Sequence, residues 1–394
     1  MREALFVATL PPPYQRELIL SCPGAVVLAH LLLAEARLYT HPPEEAAELV
    51  ARARAVMAMP EVQGPHLEIL GRVWPLGAAL GRYEAAAERL APARLEPLSV
   101  DLVIPRCRED LAWLGDSSQL ELFPERTHIY IYEKCGGEGP VADLGSLPQG
   151  RARVTRTALA DRADPSTGLA ARRDECTAYL AHVVHRYDAA SAANMTIFLH
   201  GDPSDHMPLG MLNVVLRGLA LGTLREVDFL HLASPRLVQT WNPCQEGIFE
   251  AAIGRPLRAP LATYCCSQFA VSGRRLRARP RAEYERMLRL VDGSVPDACA
   301  RIGPSYERYA GQRLSHCFFF EFMWHVVFGE DEALPLRADD ARLPPALRLK
   351  DGEGELPSLW RSYLGAFTGG QAAFSRQGHE VWLQRVGPQA GIGA

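Results

Sequence analysis

The stretch Val100-Asp-Leu-Val-Ile104, which is bracketed by two prolines, decides the fold class of this chain. Two similar runs of strand-forming residues follow at His128–Tyr132 and Met195–Leu199, and a long helical segment, about 174–187, separates them. Alternating strands and helices over about 100 residues are typical of α/β layer folds. The sequence therefore predicts an α/β fold with a mostly parallel sheet flanked by helices.

Further elements complete this domain, which we expect to span residues 98–330. A strand is predicted at Phe229–Leu232, and a strand or loop at Ala262–Val271. Arg281–Val291 has the pattern of an amphipathic helix, and Phe318–Phe328 that of a buried one.

Residues 1–95 are predicted to form an all-helical extension. Helices are expected at Ala25–Tyr39, Glu44–Met59 and His66–Leu80. The segment Gly81-Arg-Tyr-Glu-Ala-Ala86 resembles the turn between the helices of a tetratricopeptide repeat, but no second copy follows at the ~34-residue spacing of that repeat. A plain helical layer is the alternative to a surface that docks a protein partner.

The amino-acid composition of the chain changes after residue 330. Residues 331–394 are rich in proline, glycine and charge, which predicts a loosely packed tail with one short helix near Leu359–Phe367.

Composition excludes several classes of protein. The 48% hydrophobic and 22% charged residues fit an ordinary globular protein, and a net charge of −4 gives no general attraction to nucleic acid. The nine cysteines form no Cys-x-x-Cys pair, so those in apolar runs, such as Cys317, are expected to be reduced core residues. Neither a signal peptide nor a membrane span of ~20 apolar residues is seen, which favours a cytoplasmic location.

The strongest candidate for chemistry is Met195-Thr-Ile-Phe-Leu-His-Gly-Asp-Pro-Ser-Asp-His206. A buried strand ends here in a turn that carries Asp202, Asp205 and His206, and ligand sites in open α/β sheets lie at the carboxyl ends of strands. These side chains suit a divalent cation, Mg²⁺ or Mn²⁺, bound against a diphosphate. Turn and capping chemistry is the structural alternative.

Two helices carry further candidates. Glu175, Tyr179 and His182 share one helical face, which is either part of a site or a solvated surface. Glu321 lies in an apolar helix together with His325, and a carboxylate in such surroundings suits a general base. A structural glutamate and a core histidine are the alternatives.

A third group of candidates follows the first strand. Arg106 and Arg108 are placed where a nucleotide phosphate would bind, and Glu109 and Asp110 would border the same ligand. Neither a phosphate-binding P-loop nor a Gly-x-Ser-x-Gly elbow occurs, so a P-loop enzyme and a serine hydrolase are not indicated.

The chain resembles a family known as domain of unknown function 3431. Members usually show Gly-Arg-Glu where this chain has Arg173-Asp-Glu175, and often Gln-Gly-Asp where it has His200-Gly-Asp202. The positions that fit the pattern are Glu109, Asp110, Glu175, Tyr179, Asp202, Asp205, His206 and Glu321. The likeness is carried by Asp101–Leu114, Glu175–Tyr187, Phe198–His206, Gln268–Ser272 with Arg279–Arg281, and Glu321–Gly329.

The layout of that family looks like the GT-A type of glycosyltransferase, a Rossmann-like fold. Such enzymes open with a Val/Ile-rich strand followed by Arg or Asn and Glu, end a later strand in an Asp-containing metal motif, and often place a catalytic acid in a downstream helix. By this analogy the chain would transfer a sugar from a nucleotide-sugar to an acceptor hydroxyl.

In that expectation Asp202, with Asp205 or His206, holds a divalent cation, and Glu321 is the catalytic base. Glu175 and Tyr179 are the further catalytic candidates. A metal-dependent hydrolase that uses the same site is one alternative. A binding protein without catalysis is the other, which the departures at Arg173 and His200 favour.

Overall fold

A computed structural model describes the following parts of the chain: residues 23–60, 76–91, 98–107, 109–115, 123–134, 152–159, 175–188, 193–203, 207, 211–233, 236–239, 243–264, 266–292, 316–348, 373–374 and 380–383. The chain divides into two compact units. The first comprises residues 1–98, 213–226 and 341–349, and the second comprises residues 99–212, 227–340 and 350–394.

The elements alternate between helix and strand after residue 98. The helices are α1 Pro23–Arg37, α2 Pro43–Met57, α3 Leu76–Leu90, α4 Glu175–Arg186, α5 Met211–Ala220, α6 Pro243–Ile253, α7 Gly273–Ala278, α8 Arg281–Val291 and α9 His316–Val327, with 3₁₀ helices at Ala112–Gly115 and Pro345–Leu347. The strands are β1 Val100–Arg106, β2 Thr127–Glu133, β3 Ala152–Ala158, β4 Met195–Phe198, β5 Phe229–His231, β6 Arg236–Gln239, β7 Leu261–Tyr264, β8 Phe269–Ser272, β9 Ala373–Phe374 and β10 Glu380–Leu383. Among the residues described, none of the helices has the length and apolar character to cross a membrane.

The first unit confirms the N-terminal helices. Helices α1, α2 and α3 bury an apolar core that includes Val27, Leu31, Leu49 and Ala79. Pro43 opens α2, where its missing N–H is not needed, and Glu44 and Glu45 sit in the first turn, where they stabilise the positive end of the helix.

The predicted turn at Gly81–Ala86 is wrong, because α3 runs through it without interruption. A methyl group placed on Gly81 would meet nothing within 4 Å, so no close contact requires a glycine at this position. Glycine inside a helix costs about 1 kcal/mol relative to alanine. The surrounding alanine and leucine residues offset that cost. Residues 61–75, where the third helix was predicted to begin, lie outside the described residues.

The second unit confirms the mostly parallel sheet. Its six strands run in the order β3-β2-β1-β4-β8-β5. The first three contacts in this order are parallel, whereas β8 is antiparallel to both of its neighbours. All seven residues of β1 are buried, as expected for a central strand of a sheet covered on both faces.

One face of this sheet is packed with aromatic rings. Phe198 and Phe269 project from neighbouring strands with ring centroids 4.9 Å apart. Tyr179 of α4 lies 4.8 Å from Phe198, and Trp324 of α9 lies 5.3 Å from Phe269. Burial of these large rings is the main favourable contribution to packing on this face. It places α4 and α9 side by side over the sheet.

The same face becomes polar toward β1 and β2. His182 of α4 contacts the Tyr132 hydroxyl at 3.1 Å, and its Nε2 lies 3.8 Å from Asp101 Oδ2. Burial lowers the pKa of His182 to about 3 and raises that of Asp101 to about 6. His182 is therefore a neutral ring that links α4 to the sheet, which agrees with a structural role.

The region predicted as a strand or loop, Ala262–Val271, contains parts of two strands that belong to different sheets. Strand β7 joins a four-stranded sheet of order β7-β6-β10-β9, whereas β8 enters the main sheet. Residues 331–340 were predicted to be loosely packed, but they continue this fold: Ala262 N–H donates to Glu332 O at 2.9 Å, and Leu334 N–H donates to Ala262 O at 2.8 Å. The helix predicted near 359–367 lies outside the described residues.

Candidate active site

The turn that follows β4 lies at the carboxyl edge of the main sheet, beside the end of β1. It comprises His200, Gly201, Asp202 and Pro203, and the side chain of Asp202 is exposed. Ligand sites in open α/β sheets gather at this edge. The turn is therefore the natural centre of a site.

Two side chains hold this turn in place. The Trp113 indole donates from Nε1 to Gly201 O at 2.8 Å. On another side, Gln268 donates from Nε2 to Pro203 O at 3.2 Å and accepts the His200 N–H at 3.3 Å. Gln268 is fully buried, so these bonds form away from water. The position of Asp202 is thus set by two other segments of the chain.

The segment before Gln268 is a strained turn. Cys266 has φ 69° and Ser267 has φ 38°, in the left-handed region that non-glycine residues rarely adopt. Ser267 is fully buried, and its hydroxyl accepts a hydrogen bond from Trp324 Nε1 at 3.1 Å. Such strain persists only where surrounding contacts stabilise it, and it is concentrated at functional sites.

Glu109 packs directly on the turn. A methyl group placed on Gly201 would lie 2.6 Å from Glu109 Cβ. The carboxylate accepts the Cys107 N–H at Oε2, 2.6 Å away, and the Glu109 carbonyl accepts from Arg106 Nε at 3.0 Å. Gly201 is therefore required here because any side chain would displace Glu109.

Replacing Gly201 with alanine is expected to lower the free energy of unfolding by about 1–3 kcal/mol, as is usual for a methyl group forced into a filled space. Chemical denaturation would measure the loss. Gly247→Ala in α6 is the matched control, because a methyl group there meets nothing within 4 Å. Equal stability of Gly201→Ala and wild type would contradict the close packing of Glu109 on this turn.

His200 lies between the carboxylates of the site. Its Nε2 is 3.8 Å from Glu175 Oε1, at the start of α4. Burial lowers the pKa of His200 to about 4, although the charges of Glu109 and Asp202 act in the opposite direction. At neutral pH His200 is therefore a neutral ring, with one nitrogen able to donate a hydrogen bond and the other able to accept one.

Tyr179 is influenced by two carboxylates, Glu175 of the same helix and Glu321 of α9. Burial, and then the negative charges of Glu175 and Glu321, raise the pKa of Tyr179 well above its usual value. The hydroxyl stays protonated, and it has no hydrogen-bond partner among the described residues. Glu175 and Tyr179 lie one helical turn apart on α4, which packs against the helix α9 that carries Glu321.

A disulfide fixes that meeting point. Cys176 of α4 is bonded to Cys317 of α9, across a sequence separation of 141 residues. Glu175 precedes the first cysteine, and Glu321 follows the second by one helical turn. The prediction that Cys317 is reduced is therefore wrong. No local sequence motif could indicate the bond, because the two cysteines are too far apart in the sequence.

Two other predicted residues have structural partners. Arg106 is buried, and its Nη1 pairs with Glu133 Oε2 at 3.0 Å. Asp110 accepts the Ala112 N–H at 2.9 Å, which caps the 3₁₀ helix. Contact of Arg106, Glu109 or Asp110 with a nucleotide stays a prediction.

The metal site also stays a prediction. Asp205, His206 and Arg108 lie outside the described residues. Within the described ranges, no three His, Cys, Asp or Glu side chains are grouped so that they could hold an ion. Asp202 is the one predicted metal ligand whose position the structure describes.

Sequence reasoning assigned no role to Trp113 or Gln268, and it gave His200 only as a departure from the family pattern. Trp113 and Gln268 act through hydrogen bonds to the backbone of a distant turn. Both lie in stretches that carry the family resemblance, and this was the only signal that could have indicated them.

Comparison with known proteins supports that resemblance. Residues 234–341 match the model of a family described as Protein of unknown function (DUF3431). The match includes Gln268, Glu321 and Trp324, whereas Asp202 and Glu175 precede it. No curated protein matches the chain.

Proposed function

We propose that this protein transfers a sugar from a nucleotide-sugar to an acceptor hydroxyl, at the carboxyl edge of its main sheet. The observation that carries the proposal is the position of Glu175, which lies 3.8 Å from His200 in the turn that bears Asp202, on a helix that a disulfide bonds to the helix of Glu321. The layout also fits the GT-A resemblance: a Val/Ile-rich strand precedes Glu109, and a second strand is followed by Asp202.

Glu321 is the base of the proposed reaction. Its carboxylate takes the proton of the acceptor hydroxyl while the acceptor oxygen bonds to the anomeric carbon of the sugar. The bond from that carbon to the diphosphate oxygen breaks, and the electron pair leaves with the nucleoside diphosphate. General-base catalysis of this kind contributes roughly 10²–10⁴-fold to the rate.

Tyr179 and Glu175 position the reacting groups. The Tyr179 hydroxyl is a donor, because its pKa is raised, and it has no protein acceptor among the described residues. The Glu175 carboxylate lies 3.8 Å from Nε2 of that neutral His200 ring, close enough to border the same substrate.

A divalent cation, Mg²⁺ or Mn²⁺, would be held by Asp202 with Asp205 or His206. The exposed carboxylate of Asp202 at the end of a strand fits a hard cation, which prefers oxygen ligands. Such a cation would neutralise the charge that develops on the leaving diphosphate. Arg108, Glu109 and Asp110 would border the nucleotide.

The test is a thermal unfolding series with nucleotide-sugars, with and without Mn²⁺. A ligand that binds only the native state raises the melting temperature. Asp202→Asn is expected to leave the melting temperature of the unliganded protein nearly unchanged, within about 0.5 kcal/mol of stability, as is usual for exposed positions. It should abolish the Mn²⁺-dependent increase, because a metal ligand and a charge are both lost.

Asp228→Asn is the matched control, since this carboxylate binds Ser272 and Arg274 elsewhere in the unit. It should lower stability but keep the Mn²⁺-dependent shift. A full Mn²⁺-dependent shift in Asp202→Asn would overturn the metal role. Release of free sugar without any acceptor would favour the hydrolase instead.

A further inference from the structure

A short motif at the start of β4 has no part in the proposed transfer. The chain contains three asparagines, and one of them begins the tripeptide Asn194-Met195-Thr196. Asn-x-Thr, with any residue except proline in the middle, is the acceptor sequence for N-linked glycosylation of secreted proteins. The other two, Asn213 and Asn242, are followed by Val-Val and by Pro-Cys, which do not fit that sequence.

Asn194 lies on the surface, at the bend that leads into β4. Its side chain is exposed, whereas Met195 and Thr196 after it are buried. The bend is at the amino edge of the main sheet, because β4 runs parallel to β1 and Met195 pairs with Val100, the first residue of β1. Asp202 follows the other end of the same strand. A large group on Asn194 would therefore lie at the opposite edge of the sheet from the proposed site.

The oxygen and the nitrogen of the Asn194 carboxamide have different surroundings. Oδ1 accepts from the Ser99 N–H at 3.0 Å and from the Ser99 hydroxyl at 2.9 Å, and that hydroxyl accepts the Asn194 N–H at 3.0 Å. A backbone N–H can only donate, so Ser99 fixes which atom of the amide is the oxygen. Nδ2 makes no hydrogen bond within the described part of the chain. The fold therefore uses the oxygen and leaves exposed the nitrogen to which a glycan attaches.

The disulfide between Cys176 and Cys317 is an independent observation that points to the same modification. Both cysteines are at most 2% exposed, so the bond lies inside the protein. Cys107 and Cys266 are disulfide-bonded as well. Such bonds form and persist in oxidising compartments, in particular along the secretory route. A chain that acquires them there also meets the enzyme that glycosylates Asn-x-Thr sequences.

We propose that Asn194 is an N-glycosylation site and that the protein is made in the secretory pathway. The donor is an oligosaccharide carried on a polyisoprenyl diphosphate. Nδ2 of Asn194 bonds to the anomeric carbon of the first sugar, the bond from that carbon to the diphosphate oxygen breaks, and the electron pair leaves with the lipid diphosphate. Nδ2 gives one of its two protons to a base of the transferring enzyme. Oδ1 is unchanged, so both hydrogen bonds from Ser99 remain.

The burial of Thr196 determines when the modification takes place. Its hydroxyl belongs to the acceptor sequence, yet Thr196 is 4% exposed and lies between Asp101 of β1 and Val271 of β8. The transferring enzyme can reach the tripeptide only before these strands pair. Because β8 follows β4 in the chain, that side of β4 stays open until later residues are synthesised. Asn194 is therefore modified on the unfolded chain, and its exposed position keeps the glycan outside the fold.

The test is peptide mass spectrometry on the full-length protein isolated from the cells that make it, and it requires no activity. The proteolytic peptide that contains Asn194 should carry one oligosaccharide. Peptide N-glycosidase should release it and leave aspartate at position 194, whereas Asn213 and Asn242 should stay unmodified. An unmodified Asn194 would overturn the proposal, whether or not the Cys176–Cys317 bond has formed.

Thr196→Val tests the assignment in the same cells. The change removes the hydroxyl that the transferring enzyme needs and keeps the branched shape of the side chain in the sheet. The peptide should lose its oligosaccharide completely. Thr196→Ser is the matched control, because it keeps a hydroxyl in the acceptor sequence, and it should still be glycosylated.

A glycan that remains on Thr196→Val, or one that is lost from Thr196→Ser as well, would contradict the acceptor sequence. Attachment precedes folding, so the peptide reports the outcome even if a variant fails to fold. Neither measurement depends on catalysis, and the result is therefore independent of the proposed sugar transfer.

Discussion

Glu321→Gln is expected to lower the turnover number about 10²–10⁴-fold, because the amide cannot take the proton of the acceptor hydroxyl. The change keeps the size of the side chain, so the affinity for the nucleotide-sugar and the melting temperature should change little. Steady-state rates with the donor identified by thermal unfolding, together with the dissociation constant of that donor, would separate the chemical step from binding.

Glu330→Gln is the matched control for this experiment. Glu330 lies just beyond α9 and is buried, but its carboxylate pairs with Arg275 at 2.6 Å. Breaking that pair should lower the stability and leave the turnover number nearly unchanged. Equal turnover numbers for Glu321→Gln and wild type would remove Glu321 from the mechanism.

Removal of the Cys176–Cys317 bond is expected to lower the free energy of unfolding by about 2–5 kcal/mol, the usual range for a native disulfide. The bond spans 141 residues of sequence. Its loss therefore enlarges the conformational freedom of the unfolded chain substantially. The double replacement Cys176→Ser with Cys317→Ser removes both thiols, and chemical denaturation would measure the effect.

A comparison with the reduced protein controls for the replacements themselves. Wild type treated with a reductant should lose at least as much stability as the double replacement removes, because Cys107 and Cys266 are also disulfide-bonded and the reductant opens their bonding as well. Equal stability of oxidised and reduced wild type would contradict the expected contribution. Disulfides persist mainly in oxidising compartments, so this bond weighs against the predicted cytoplasmic location.

The main features of the fold could be predicted because they depend on local pattern. The runs at Val100–Ile104 and Met195–Leu199 are short, apolar and rich in strand-forming residues, and each became a strand of the main sheet. The antiparallel insertion of β8 could not be predicted. Its four residues are buried on both faces and carry no alternation that reveals the direction of the strand.

The site could be predicted only in part, for a related reason. Asp202 and Glu321 could be predicted because each is a charged residue directly after or within an apolar element. Gln268 acts through backbone atoms of a turn 65 residues away. Contacts of this kind depend on the tertiary structure, and nothing in the neighbouring sequence reports them.

The bridge between α4 and α9 also limits how the protein can move. Packed helices in many proteins slide past one another, by fractions of a turn or by a whole turn, when a ligand binds. A covalent bond at the first turns of both helices prevents such sliding here. Glu175 and Glu321 consequently keep a nearly constant spacing through a binding cycle, because each lies within about one helical turn of a bonded cysteine.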